Sequence, residues 1–105
     1  MYKSPKQESP VIARMIFVKV AREQIQEAIE DWKRVCAPLM ISQPGCLSEE
    51  LLECNEDPEE FISLSRWEST EAISAYRTSE AHEKIKHGTR GIKAEVTVKT
   101  YRVMG

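Results

Sequence analysis

Two histidines, two tryptophans and one arginine set inside an apolar run are the side chains of this sequence best suited to chemistry. His82 and His87 are five residues apart, roughly 140° around an α-helix, so they cannot share a metal ion from one helix face. No H-E-x-x-H or comparable ligand set accompanies them, and Cys36, Cys46 and Cys54 lack C-x-x-C spacing, so no protein metal site is expected. A histidine lining a pocket has a near-neutral pKa and suits acceptance of a phenolic proton. That chemistry is open to His82, against the plainer reading of a packed or helix-surface histidine.

Arg14 interrupts the apolar run VIARMIFVKV. A guanidinium buried there needs a partner, and three are open: a ligand anion, a carboxylate from Glu49 or Glu53, or solvent at the strand edge. Glu49, Glu50 and Glu53 read as the wet face of a hairpin rather than paired catalytic carboxylates. Trp67 closes a strand, with core packing as its plainer reading, and Tyr76 follows nine residues later, near enough to share a cavity. Trp32 falls on the apolar stripe of a helix and reads as packing.

The elements that must position these groups follow from periodicity. Val11 to Val20 is almost continuously apolar and β-branched, the pattern of a buried strand. From Arg22, apolar residues recur at three- and four-residue steps (Ile25, Ala28, Ile29, Trp32, Val35, Cys36, Leu39), an amphipathic helix whose last regular turn should end near Pro38. Pro44-Gly45 marks a turn, and Asn55 to Pro58 separates Cys46–Cys54 from Phe61–Trp67, framing a two-strand hairpin. Ser69 or Thr70 is placed to cap a helix through Tyr76, and a second short helix from Ser79 to His87 should stop at Gly88. Val96 to Val103 alternates as a closing strand. Cys46 and Cys54 on one strand would lie about 26 Å apart, too far for a disulfide.

The order β-α-β-β-α-β is the ferredoxin-like α+β arrangement, a four-stranded antiparallel sheet with its helices on one face. The other sheet face is left bare, and the simplest cover is a second copy, giving a dimeric α/β barrel. One folded domain is expected over residues 11–105, with residues 1–10 a loose tail of two prolines and mostly polar side chains.

Composition narrows the function. Of 105 residues 41% are hydrophobic and 30% charged, which is globular, and 15 basic residues against 17 acidic leave a net charge of −2. That balance argues against nucleic acid as a partner. The one basic concentration (Lys84, Lys86, His87, Arg90, Lys93) reads as a solvated helix end and loop. No apolar run approaches a membrane span, and MYKSPKQESP lacks the apolar stretch of a signal peptide, so a cytoplasmic location is expected. Free, buried thiols suit that compartment.

The assembled pieces resemble the antibiotic-biosynthesis-monooxygenase family of dimeric α/β barrels. They are Pro44-Gly45-Cys46-Leu47, Phe61 to Trp67, Trp67-Glu68-Ser69 leading into Glu71-Ala72, Ser79-Glu80-Ala81-His82, and the closing Val98 to Val103. The resemblance implies a site between helices and sheet near the tryptophan that ends the third strand. It implies Trp67 and His82 as catalytic residues, and a small aromatic substrate held with Tyr76 and Arg14, without a cofactor. The activity implied first is cofactor-independent oxygenation of a phenol, hydroquinone or anthrone. Its rivals are a non-oxidative isomerase or lyase of the same fold and a non-catalytic small-ligand-binding protein. Haem-degrading relatives carry a first-strand asparagine, a second tryptophan and an axial histidine. Ala13, Tyr76 and Lys86 stand at those positions, which argues against haem degradation, although His87, one residue off, leaves weak haem binding open.

Overall fold

The computed structural model describes residues 10–88, 91, 92 and 94–105. Residues 1–9 of the expected tail, and Arg90 and Lys93 of the basic cluster, lie outside the described residues.

β1 (Ile12–Val20) is the β-branched run anticipated from the sequence, and it takes a central position. β3 (Glu60–Trp67) pairs along one side of it, from Ile12↔Trp67 to Lys19↔Glu60, and β4 (Ala94–Arg102) along the other, from Ile12↔Arg102 to Val20↔Ala94. β2 (Cys46–Glu53) completes an antiparallel sheet of order β2-β3-β1-β4, the ferredoxin-like topology. Because successive side chains alternate across a strand, Arg14, Ile16 and Val18 share one face with Ser65, Ser63 and Phe61. Ala13, Met15 and Phe17 share the other with Arg66, Leu64 and Ile62.

The helix expected after β1 is assembled from four pieces: a 3₁₀ turn at Arg22–Gln24, α1 (Ile25–Asp31), a π-helical turn at Trp32–Cys36, and α2 (Ala37–Ile41). It therefore runs past Pro38, correcting the expectation that the regular turns end there. In an uninterrupted α-helix the proline ring would meet the carbonyl one turn back. The wider π turn moves that carbonyl aside. Pro38 then falls in the first turn of α2, where a missing N–H costs little.

The hairpin forms as expected, and its loop is tied down locally. Asp57 accepts from the backbone N–H of Glu59 at 2.9 Å and pairs with Lys19 of β1 at 3.2 Å. At the other end, Gly45 adopts φ +86°, where a β-carbon would sit 2.5 Å from that of Ala72, so this turn requires glycine on both counts. Just beyond it β2 carries a bulge. Cys46 opposes Trp67, Ser48 opposes Arg66 and Glu49 opposes Ser65, leaving Leu47 as the extra residue. That one residue reverses which side chains of β2 face the helices.

The second helical region is broken in two. In α3 (Thr70–Arg77) the Ser69 hydroxyl caps the N-terminus, accepting from the Ala72 N–H at 3.1 Å. In α4 (Glu80–Gly88) Ser79 repeats the device, accepting from the His82 N–H at 3.2 Å. The core cluster Ile12, Met40, Trp67, Ile73 and Tyr76 joins β1, α2, β3 and α3 at one end of the sheet. No helix of the described residues is long and apolar enough to cross a membrane.

Candidate functional site

A cavity of about 360 Å³ lies between the sheet and the first helical segment. Ile16, Val18 and Val20 of β1 with Val96 and Val98 of β4 form its apolar floor, and Ala28, Ile29 and Trp32 lie over it. Arg14 stands next to Ile12 on the same strand face, and Ile12 belongs to the core cluster, so the core closes the cavity at the arginine end. Val96 and Val98 remain 57% and 48% exposed, which leaves the β4 side open.

Three polar side chains, Arg14, Tyr76 and His82, gather at the closed end. Arg14 is 5% exposed, and its Nη1 has no hydrogen-bond partner among the described residues. Its guanidinium carbon lies 5.7 Å from the Tyr76 ring centroid, a cation–π contact. The Tyr76 ring packs at 5.3 Å on Trp67 and meets the His82 ring edge-on at 5.0 Å. His82 Nδ1 is likewise buried without a partner among the described residues. Thus Arg14, Tyr76 and His82, chosen from three separate stretches of sequence, line one end of one cavity.

Trp67 stands one layer behind them. It is fully buried, backs Tyr76, and donates its indole N–H to Ser65 Oγ at 2.8 Å. Its direct influence is on the orientation of the Tyr76 ring rather than on the cavity wall.

The environment moves the protonation equilibria in a consistent direction. Burial lowers the His82 pKa, and the Arg14 and Lys86 charges lower it further, so the imidazole is neutral near pH 7 and able to accept a proton. Burial pushes Tyr76 up to about 12, opposed by Arg14, so the phenol stays protonated. Burial also lowers the Arg14 pKa, against the attraction of Tyr76 and Glu49.

Two further residues belong here that sequence reasoning placed elsewhere. Trp32 lines the cavity and donates its indole N–H to Ser63 Oγ at 3.3 Å. Glu49, expected on the wet face of the hairpin, instead faces the helices beyond the bulge, and both its carboxylate oxygens accept from Ser63 Oγ at 3.3 Å. Burial raises the Glu49 pKa to about 7, opposed by hydrogen bonds from the Glu50 N–H and Ser63 and by Arg14. A serine facing a glutamate across the hairpin, on the assumption of a bulge, was the signal available.

The three cysteines are free, and burial pushes Cys36 up to about 11, which suits an inert thiol. Lys84 and Lys86 pair with Glu80 and Glu83 along α4, as a solvated helix face would. His87 is exposed. No group of three or more metal-ligating side chains occurs among the described residues.

Comparison with solved structures places this architecture among known ones. A protein of unknown function from Bacteroides thetaiotaomicron superposes with a TM-score of 0.79 at 18% identity, over 90% of this chain and 99% of that one. A conserved protein from Methanosarcina mazei gives 0.78 at 20% identity, over 91% and 95%. A structure described as an antibiotic biosynthesis monooxygenase gives 0.74 at 15% identity, over 90% and 99%. At these identities the likeness speaks for the fold. No curated protein matches the chain. The sequence profile for antibiotic biosynthesis monooxygenases matches residues 11–88, well over half of the chain, and the protein belongs to that family.

Proposed function

We propose that the protein is a cofactor-independent monooxygenase acting on a small, flat, acidic aromatic such as a hydroquinone or an anthrone. The observation that carries this reading is the buried Arg14, its Nη1 unpaired among the described residues, at the closed end of an apolar cavity and beside a neutral histidine. A buried cation with an unsatisfied donor is costly unless something anionic completes it.

In this reading the ring enters along the valines of β1 and β4 and stacks near Tyr76. His82 takes the phenolic or enolic proton, and Arg14 stabilises the resulting anion. The electron-rich anion reduces dioxygen itself. For an anthrone, a CH₂ becomes C=O with one oxygen atom, and the other atom leaves as water with the two hydrogens. Trp67 supports Tyr76 from behind, a positioning role.

The test is oxygen uptake by chelator-treated protein on a panel of hydroquinones and anthrones. Uptake should fall at least tenfold in His82→Ala with the fold retained, and less in Trp67→Phe. Equal uptake by His82→Ala removes it from the mechanism, and product formed equally without oxygen moves the assignment to an isomerase or lyase.

The protein acts, in the same proposal, as a homodimer. The sheet face away from the helices carries Met15, Phe17, Ile62 and Leu52, the last 40% exposed, with Lys99 reaching to 5.9 Å from the Phe17 ring centroid. An apolar sheet face of this kind is an association surface. Sedimentation of the purified protein as a monomer at micromolar concentration would remove the dimer.

A further inference from the structure

Behind the cavity wall, hydrogen-bonded to its Ser63, stands a carboxylate that the proposed oxygenation does not use, Glu49. Arg14 and Glu49 are both register partners of Ser65, on opposite sides of β3, and all three face the helices. Adjacent strands are ~4.8 Å apart, so the two backbones lie roughly 10 Å from each other with only a serine between them. The opposite charges do not meet in an ion pair: Glu49 turns to Ser63, and Arg14 turns to Tyr76. Each still feels the other, the arginine lowering the Glu49 pKa and the glutamate raising that of Arg14.

We propose that Glu49 is the built-in counter-charge of Arg14, and that an anionic ligand takes over this role while the Glu49 carboxylate takes up one proton from solvent. This rests on the reading above that the cavity binds an anion at Arg14. The balance is simple: one negative charge enters, one is neutralised by a proton, and the guanidinium keeps a single counter-charge throughout. Ser63 makes the exchange local. Its hydroxyl lines the cavity, receives the Trp32 N–H and donates to Glu49, so a protonated Glu49 keeps a hydrogen-bond partner when the charge is gone.

Among the groups around Glu49, the thiols and the phenol are shifted away from neutrality. Cys36 of the π turn is raised to about 11 and Tyr76 of α3 to about 12. Cys46 on β2 is raised from its ordinary 9.0 by burial. Arg14 keeps its charge, although burial and the Arg77 charge lower its pKa. Glu50 is a neighbouring carboxylate that favours the protonated form of Glu49. His82 is lowered from 6.5 by burial and by the Arg14, Lys86 and Arg77 charges. Glu49, at about 7 and hydrogen-bonded to Ser63, is the carboxylate that changes charge in this window.

The experiment uses naphthalene-2-sulfonate, a flat anion whose charge does not change with pH, and its uncharged sulfonamide as control. Binding is followed calorimetrically from pH 6 to 8.5 in two buffers of different ionisation enthalpy. Wild-type protein should take up close to one proton per anion bound near pH 8, and the affinity should fall about tenfold between pH 7 and 8.5. Glu49→Gln should bind the sulfonate at pH 8.5 about as tightly as wild type does at pH 6, with no proton uptake. The sulfonamide should show no pH dependence in either protein. A pH-independent wild type, an equally pH-dependent Glu49→Gln, or no sulfonate binding in either protein overturns the proposal. Should Glu49→Gln fail to fold, the wild-type proton count decides alone. No oxygen uptake together with the expected proton count leaves this coupling standing and removes only the oxygenase assignment.

Discussion

Replacing Arg14 by methionine separates a residue kept for function from one kept for the fold. Arg14 is 5% exposed and leaves Nη1 without a partner among the described residues. A buried, charged donor left unsatisfied costs ~1–3 kcal/mol. Against it stands the cation–π contact with Tyr76 at 5.7 Å, worth ~1–2 kcal/mol when desolvated. Methionine fills much of the same volume, removes the orphaned donor and keeps an apolar contact with the ring. The net expectation is a gain of about 1 kcal/mol, or a rise in Tm of ~4–8 °C for a domain of this size. The measurement belongs at pH 6, where Glu49, with its pKa of about 7, is largely protonated and does not become a second unpaired charge. Urea unfolding followed by circular dichroism gives the stability. Sulfonate binding on the same protein should weaken at least tenfold. A loss of more than ~2 kcal/mol would falsify the reasoning, because it would mean that the arginine holds the core together. Unchanged sulfonate binding would refute it from the other side.

Three further outcomes follow from the geometry. Gly45→Ala should destabilise by about 2 kcal/mol or more, since it adds both a strained φ and a contact with Ala72; a change in urea midpoint within error would remove the close approach of this turn to α3. Ser69→Ala should cost about 1 kcal/mol through loss of the α3 cap, while Ser69→Asp should recover most of it. Glu49 makes wild-type stability fall as pH rises: its folded pKa of about 7 exceeds the ordinary 4.5, so the native state binds the extra proton between those values and the penalty is complete above them. Glu49→Gln should therefore match wild type near pH 4.5 and exceed it by about 2–3 kcal/mol at pH 8, and parallel stability curves across that range would contradict the assignment.

The elements themselves were legible because they are decided locally. The β-branched run of β1, the three- and four-residue steps of the first helix, the Pro44-Gly45 turn and the Ser69 cap each act over a few residues, and each forms where the sequence indicates. Arg14 was legible as an anomaly for the same reason, a charge within an apolar strand. Which side chains reach the cavity was not legible, because that depends on parity and depth. Counting alternately from Cys46, which opposes Trp67, puts Ser48 and Glu50 toward the helices and Glu49 toward water. The extra residue Leu47 reverses that count, and an insertion without a turn signature of its own leaves no mark on the pattern. Trp32 lies on the apolar stripe as expected, but the π turn and the open space beneath it bring its N–H to Ser63. Trp67 and Tyr76 are both aromatic and close in sequence, and only their packing order makes one the wall and the other its support. Sequence alone thus determined the strands, helices and caps, whose free energies come from near neighbours. The tertiary structure decided the membership of the site, because burial depends on strand register and layering, where one residue of slip turns a solvent-facing carboxylate into a half-buried one.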